Sequence, residues 1–128
     1  MKIGEVSKQH NISSDTLRYY ERIGLLPSVK RNKSGIRVYE EIDMRRIEFI
    51  KCMRRAGLPI EVLIEYFQLI EQGDHTIETR KKILVDQRTK LEQKMEEMQS
   101  TLDLLDHKIA IYEQAMVNNE KKIFENEE

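Results

Sequence analysis

The run "ISSDTLRYYERIGLLP", residues 12–27, decides how the chain is read. Ser13 or Ser14 can cap the first free amides of a helix, and Asp15 sits where the positive end of the helix dipole favours an acid. Leu17, Tyr20 and Ile23 then recur at helical spacing, and Gly24 supplies a stop before "LLP". Upstream, "KIGEVSKQHN" places Ile3 and Val6 three apart and breaks at Asn11, which predicts a short first helix. Together the two segments read as helix, tight turn, helix.

Downstream, "SVKRNKSGIRVY" (28–39) changes character. Val29 on one arm and Ile36, Val38 and Tyr39 on the other flank the turn signal "NKSG", which predicts a small β-hairpin. Lys30, Arg31, Lys33 and Arg37 make that hairpin a basic finger with no acid among them. A third helix is expected from Glu40 or Glu41 to Ala56, stopped by Gly57. Pro59 suits the first turn of a fourth, whose apolar face is Ile60, Leu63, Ile64, Phe67 and Ile70 and whose end is Gly73.

From Thr76 the spacing becomes heptad. Leu84, Leu91, Met98, Leu105 and Tyr112 form one seam position; Arg88, Met95, Leu102, Ile109 and Met116 form the other. Nine of these ten are apolar or aromatic and no Gly or Pro interrupts them, the pattern of a long coiled-coil helix. At 1.5 Å per residue, about 35 residues overshoot a small domain, so the seam calls for a partner rather than its own core. One chain supplies one such helix, and a homodimer is the economical solution. The expected organisation is a mainly α chain, a winged helix-turn-helix followed by a long dimerisation helix. Its parts are a DNA-binding domain at 1–73, a coiled coil at 76–117 and a frayed acidic tail at 118–128.

Charge divides the same way. Residues 1–60 carry 13 Lys and Arg against 7 Asp and Glu, whereas residues 61–128 carry 9 against 16, although the whole chain is only −1. The first half therefore suits a polyanion. With 35% charged residues and no Trp, the composition is that of a helical protein with much surface. No apolar run follows a basic start and no 18-residue uncharged stretch occurs, so a cytoplasmic, nucleoid-associated protein without a membrane partner is expected. One cysteine cannot form an internal disulfide, and His10, His75 and His107 lack ligand-like spacing, so neither metal nor cofactor is expected.

Helix two carries Arg18, Tyr19, Tyr20 and Arg22. Arg can donate two hydrogen bonds to a guanine edge or clamp a phosphate, and a Tyr hydroxyl donates to phosphate, so this helix suits a major groove with the basic finger beside it. Tyr20 and Leu17 can instead face the core.

The stretch "IGEVSKQHNISSDTLRYYERIGLLP" resembles the opening of the MerR family of bacterial transcription regulators, and Arg31, Gly35, Arg37 and Tyr39 resemble that family's wing. The resemblance covers essentially the whole chain. It implies a dimer joined by an antiparallel coiled coil, bound to an over-long promoter spacer that it bends and untwists for RNA polymerase. It also implies DNA contacts from Thr16, Arg18 and Tyr19 on helix two and from Arg31, Lys33, Arg37 and Tyr39 on the wing. Dimer contacts fall on Leu84, Leu91, Met95, Met98, Leu102, Leu105, Ile109, Tyr112 and Met116.

The effector hinges on Cys52. On a wheel of helix three, Ile42, Phe49, Ile50, Met53 and Ala56 form an apolar arc, and Cys52 falls just outside it between Arg45 and Glu48, a boundary position. Arg45, Lys51 and Arg55 favour a thiolate; Glu48 and the negative helix end oppose it, and the residues alone leave a reactive and a structural thiol both open. "IEFIKCMRRAGLPIE" with "YFQLIEQGDHTIETRKKIL" resembles the single-cysteine MerR subgroup that responds to reactive aldehydes and other electrophilic or nitrosative stress. That resemblance implies that Cys52 is the sensor. It points away from metal-sensing members, which carry cysteines flanking the dimerisation helix, and from drug-sensing ones with a large further domain. A competing reading is an architectural DNA-binding or coiled-coil adaptor protein with no inducer. An enzyme is not expected, because no nucleophile–base pair or glycine-rich phosphate loop is visible.

Overall fold

The computed structural model describes residues 1–127, with side chains through Asn119. Five helices follow one another: α1 (Ile3–His10), α2 (Ser14–Arg22), α3 (Glu41–Arg55), α4 (Ile60–Gln72) and α5 (Ile77–Glu127), with a single 3-10 turn at Asp74–Thr76 before the last. The chain divides into two compact units, Met1–Gln87 and the stretch from Arg88 onward. The acidic tail expected at 118–128 lies largely outside the described side chains.

Local chemistry sets the boundaries. Asn11 ends α1 in the left-handed conformation, with φ of 54°, and the Ser13 hydroxyl accepts the Thr16 amide at 3.1 Å to open α2. Of the two candidate serines, Ser13 is therefore the cap. Gly24 (φ 80°), Gly57 (φ 92°) and Gly73 (φ 106°) close α2, α3 and α4 where a side chain would be strained. The Glu40 amide donates to Asp43 Oδ2 at 2.8 Å and opens α3. Pro59 stands one position earlier than expected. It is the extended cap of α4 rather than its first helical residue, and its carbonyl accepts the Leu63 amide.

The core of the first unit joins Val6 of α1, Leu17 of α2, Ile47 and Ile50 of α3, and Leu63 and Phe67 of α4, with Leu25, Leu26, Val29, Tyr39 and Leu58 from the connections. Phe49, Tyr66 and Phe67 form a ring cluster that couples α3 to α4, with centroids 5.5 to 6.0 Å apart. The apolar arc expected on α3 is corrected in two places. Ile42 is 50% exposed, while Ile47, off that arc, is fully buried. A wheel centred on apolar residues alone misses that α3 packs on α1 as well as α4.

The wing is a hairpin in outline only. Arg31 and Arg37 make a single antiparallel bridge rather than paired strands. Two further backbone bonds flank it, Asn32 to Ile36 at 2.8 Å and Val38 to Lys30 at 2.7 Å. A two-stranded ribbon with little apolar surface is marginal by itself, and this one is anchored at its ends by Val29 and Tyr39.

Removing a fully buried side chain tests this core. Ile50→Ala is expected to lower unfolding stability by about 2–5 kcal/mol, and Ser13→Ala by about 1 kcal/mol, measured by urea unfolding followed by circular dichroism.

Candidate nucleic-acid interface

α2 presents two faces. Leu17 is buried and Tyr20 packs against the core, so the open alternative for Tyr20 resolves toward packing rather than an exposed DNA contact. On the outer face, Tyr19 is 43% exposed, and the Arg22 guanidinium lies over its ring at 5.4 Å. Arg18 is exposed and pairs with Asp15 across 3.0 Å, an i,i+3 contact weak enough for a phosphate to replace. Thr16 holds the Ser13 hydroxyl at 2.7 Å, at the first turn of the helix.

The wing adds Lys30, Arg31 and Lys33, all exposed. Lys30 reaches Glu40 at 3.2 Å. Arg31 donates to the Gly35 carbonyl at 2.8 Å, and Asn32 Oδ1 accepts the Ser34 and Ile36 amides at 2.9 and 3.0 Å, which shapes the tip. Gly35 takes the positive φ of 80° that the tip needs.

Two expected contacts face inward. Tyr39 is 2% exposed and belongs to the core; burial pushes its phenol upward from its ordinary value. Arg37 donates from Nε to Glu21 Oε2 at 2.6 Å, with side-chain exposures of only 22% and 12%. Glu21 also accepts the Val29 amide at 2.9 Å. Arg37 and Tyr39 therefore brace the wing in this chain rather than lie open to DNA. Sequence reading overlooked Glu21, although a signal was present: it lies four residues after buried Leu17, on the same helical face.

Burial disfavours the Glu21 carboxylate. The Arg37 hydrogen bond, the Val29 amide and the charges of Arg37 and Arg31 outweigh that and hold its carboxyl below the ordinary glutamate range.

Cys52 is exposed on α3, which corrects the boundary position expected for it. The wheel placed it beside the buried arc, but that arc is rotated toward Ile47. Its basic neighbours are engaged locally: Arg45 with Glu41 at 3.0 Å and Lys51 with Glu48 at 3.9 Å. One turn before the thiol, Glu48 bonds Nδ1 of buried His10 at 2.5 Å. The His10 hydrogen bond first, and then the charges of Lys51 and Arg55, hold Glu48 below its ordinary value. This link joins α1 to α3 across 38 residues and left no trace in local spacing.

Along α5, Leu84, Met95, Met98, Leu102, Leu105, Ile109, Tyr112 and Met116 are all exposed, from 39% to 71%, and Leu91 is half-buried. Arg88, the polar seam position, pairs with Glu92 at 3.0 Å. No helix among the described residues is long and apolar enough to cross a membrane.

A capped second helix with an outward Arg and Tyr face, beside a basic wing, defines a helix-turn-helix DNA-binding protein. Residues 1–70 match the family described as MerR HTH family regulatory protein, and residues 44–108 match that described as MerR, DNA binding. The chain belongs to the MerR family of DNA-binding transcription regulators, which are not enzymes. It is 59% identical over 91 residues to the HTH-type transcriptional regulator AdhR of Bacillus subtilis (strain 168); the match covers 71% of this chain and 65% of that relative, just short of two thirds of its length. Among solved structures, a MerR family regulator from Listeria monocytogenes, described as putative, superposes with a TM-score of 0.91 at 44% identity, covering 96% of this chain and 93% of that one. HiNmlR, a MerR family regulator lacking the sensor domain and bound to promoter DNA, superposes with a TM-score of 0.81 at 28% identity, covering 91% and 92%.

The Glu21 brace has a pH signature. A carboxyl whose folded value is depressed contributes stability above its unfolded value and loses it as pH falls through the folded one. The gap in urea unfolding free energy between wild type and Glu21→Gln is therefore expected to hold steady at neutral pH. It should shrink once pH drops below the ordinary glutamate value of 4.5. A gap unchanged into strong acid contradicts a charge-based brace.

Proposed function

We propose that the chain acts in the cytoplasm as a homodimer on a promoter spacer, distorting the DNA so that RNA polymerase can use it, in response to reactive aldehydes, other electrophiles or nitrosative stress met at Cys52. The observation that carries this reading is the exposure of the lone thiol on α3, in the segment between the DNA-reading helix and α5. An electrophile can reach it without unfolding the chain. The structural neighbour HiNmlR, described as lacking the sensor domain, is bound to promoter DNA in its own structure, which supports promoter binding by the fold shared with it.

Arg18, Tyr19 and Arg22 on α2, with Lys30, Arg31 and Lys33 on the wing, are the DNA contacts in this reading, with Thr16 at the opening of α2. Holding a bent and untwisted spacer costs several kcal/mol by order of magnitude, which phosphate contacts from two subunits offset.

Charge supports an antiparallel dimer. Residues 77–95 of α5 carry six Lys and Arg against three Asp and Glu, and residues 96–128 carry three against nine. Antiparallel pairing sets basic against acidic; parallel pairing sets acid against acid.

The test is footprinting and in vitro transcription on the DNA upstream of the chain's own gene, with and without an aldehyde or a nitrosothiol. Cys52→Ser is expected to protect the same site with affinity within a few-fold of wild type and to lose the inducer-dependent rise in transcription. A full response from Cys52→Ser would overturn the thiol mechanism. Binding that discriminates its site by less than ~10³ over random duplex at matched salt would favour an architectural protein instead.

A further inference from the structure

His10 ends α1 and is 5% exposed. Its Nδ1 meets Glu48 Oε1 of α3 at 2.5 Å, and its Nε2 is buried without a partner among the described residues. A buried polar atom left unmatched costs stability, so the ring's one polar anchor is the Glu48 carboxylate. Glu48 itself stands at the surface, its side chain 59% exposed, with Lys51 Nζ at 3.9 Å from the same oxygen. Cys52 lies four residues further on, a spacing that sets two side chains on adjacent turns of one helical face, and it too is exposed. One carboxylate therefore serves both a buried imidazole and the surface turn that carries the thiol.

We propose that Glu48 is the residue that recognises an aldehyde on Cys52: it accepts the hydroxyl of the adduct and in doing so releases His10, slackening the tie between α1 and α3. This rests on the Cys52 reading above and goes beyond it, naming the chemical feature that signals and the side chain that receives it.

Addition of the aldehyde balances within the two molecules. A sulfur lone pair forms the S–C bond, the carbonyl π pair moves onto oxygen, and the thiol proton ends on that oxygen. The hemithioacetal hydroxyl is then a donor one turn from Glu48, where the free thiol offers only a weak S–H. A hydroxyl that donates to a carboxylate makes a short, charge-assisted bond. Glu48 Oε1 already holds His10 and faces Lys51, and a carboxylate that turns toward the adduct turns away from α1. Because α1 packs against α2, its release is transmitted to the helix that carries Arg18 and Tyr19. His10 without Glu48 has neither ring nitrogen matched, which restores the link once the aldehyde dissociates. Nitrosation or a mixed disulfide, by contrast, consumes the thiol and leaves its sulfur with no donor for Glu48.

The test is in vitro transcription from the DNA upstream of the chain's own gene, using full-length protein treated with formaldehyde or with methyl methanethiosulfonate. The second reagent caps Cys52 with a methylthio group that has no donor. Both are expected to block later labelling of Cys52 by a maleimide, whereas only formaldehyde raises transcription, by about tenfold, the scale of an ordinary coupling between sites. Glu48→Ala and His10→Phe each remove one half of the link. Both are expected to raise transcription without aldehyde and to gain less than about twofold more with it. An equal rise from methyl methanethiosulfonate, or a wild-type baseline with a full aldehyde response in Glu48→Ala, overturns the proposal and leaves the thiol reading standing. The reagent comparison uses wild type alone, so it decides even where a variant does not fold. A Cys52→Ser chain that still responds, or a Cys52 that formaldehyde leaves open to the maleimide, overturns the thiol reading and this proposal with it.

Discussion

The wing of this protein has no sheet to belong to, and its position relative to the reading helix depends on one carboxylate. Glu21, at the inner face of α2, takes Arg37 from the far arm and the Val29 amide from the near arm. Both arms are thereby referred to the helix that carries Arg18 and Tyr19. Both side chains of the ion pair are largely removed from water, so removing one member leaves the other charge poorly solvated. Breaking such buried pairs costs on the order of 3–5 kcal/mol, and partial burial places this one below that range. The backbone of Tyr39 completes the anchoring by exchanging hydrogen bonds with Met1 at 2.7 and 2.9 Å. A hairpin with a single bridge can then act as a rigid finger, because its ends rather than its ladder are fixed.

The second constraint is an absence of cover. α5 spans 51 residues, about 75 Å at 1.5 Å per residue, and its Leu, Met, Ile and Tyr seam faces water in an isolated chain. Large contiguous apolar surface of this kind marks an interaction face. The seam lacks the Gly and Pro that would bend it back on a core, so its burial requires another helix of comparable length. In the proposed antiparallel dimer, the charge reversal between the two halves of α5 sets basic against acidic, while the apolar residues supply the attraction.

Much of this was legible in residue order because it is local. The serine cap, Asn11, the four glycines that close turns and the heptad spacing each act over a few residues, and the helices fall where those signals place them. The long-range features were not legible in the same way. Arg37 reads as one more basic residue of the finger until Glu21, sixteen residues away, is seen to hold it. Tyr39 reads as a hydroxyl for phosphate until the core closes over it. The α3 arc failed because it was centred on Ile42, Phe49 and Met53, whereas contact with both α1 and α4 rotates the buried face toward Ile50 and Ile47. The expected strands shrank to one bridge because strand signals predict extended arms but not whether enough apolar surface exists to pair them.

The exposure of Cys52 restricts how it can act in the proposed mechanism. An aldehyde adds to a thiol as a neutral hemithioacetal, and nitrosation replaces the thiol hydrogen with a small polar group. Neither brings the charge of a phosphate, and neither enters a core from an exposed position. The change must therefore work through contacts already poised at that face. Glu48, one turn before the thiol, is fastened to buried His10 of α1 and so reaches the helix-turn-helix directly. A tenfold bias between two promoter states needs only about 1.4 kcal/mol. That is the scale of one displaced contact or one weakened hydrogen bond, so a surface thiol is sufficient where a buried one would risk the fold.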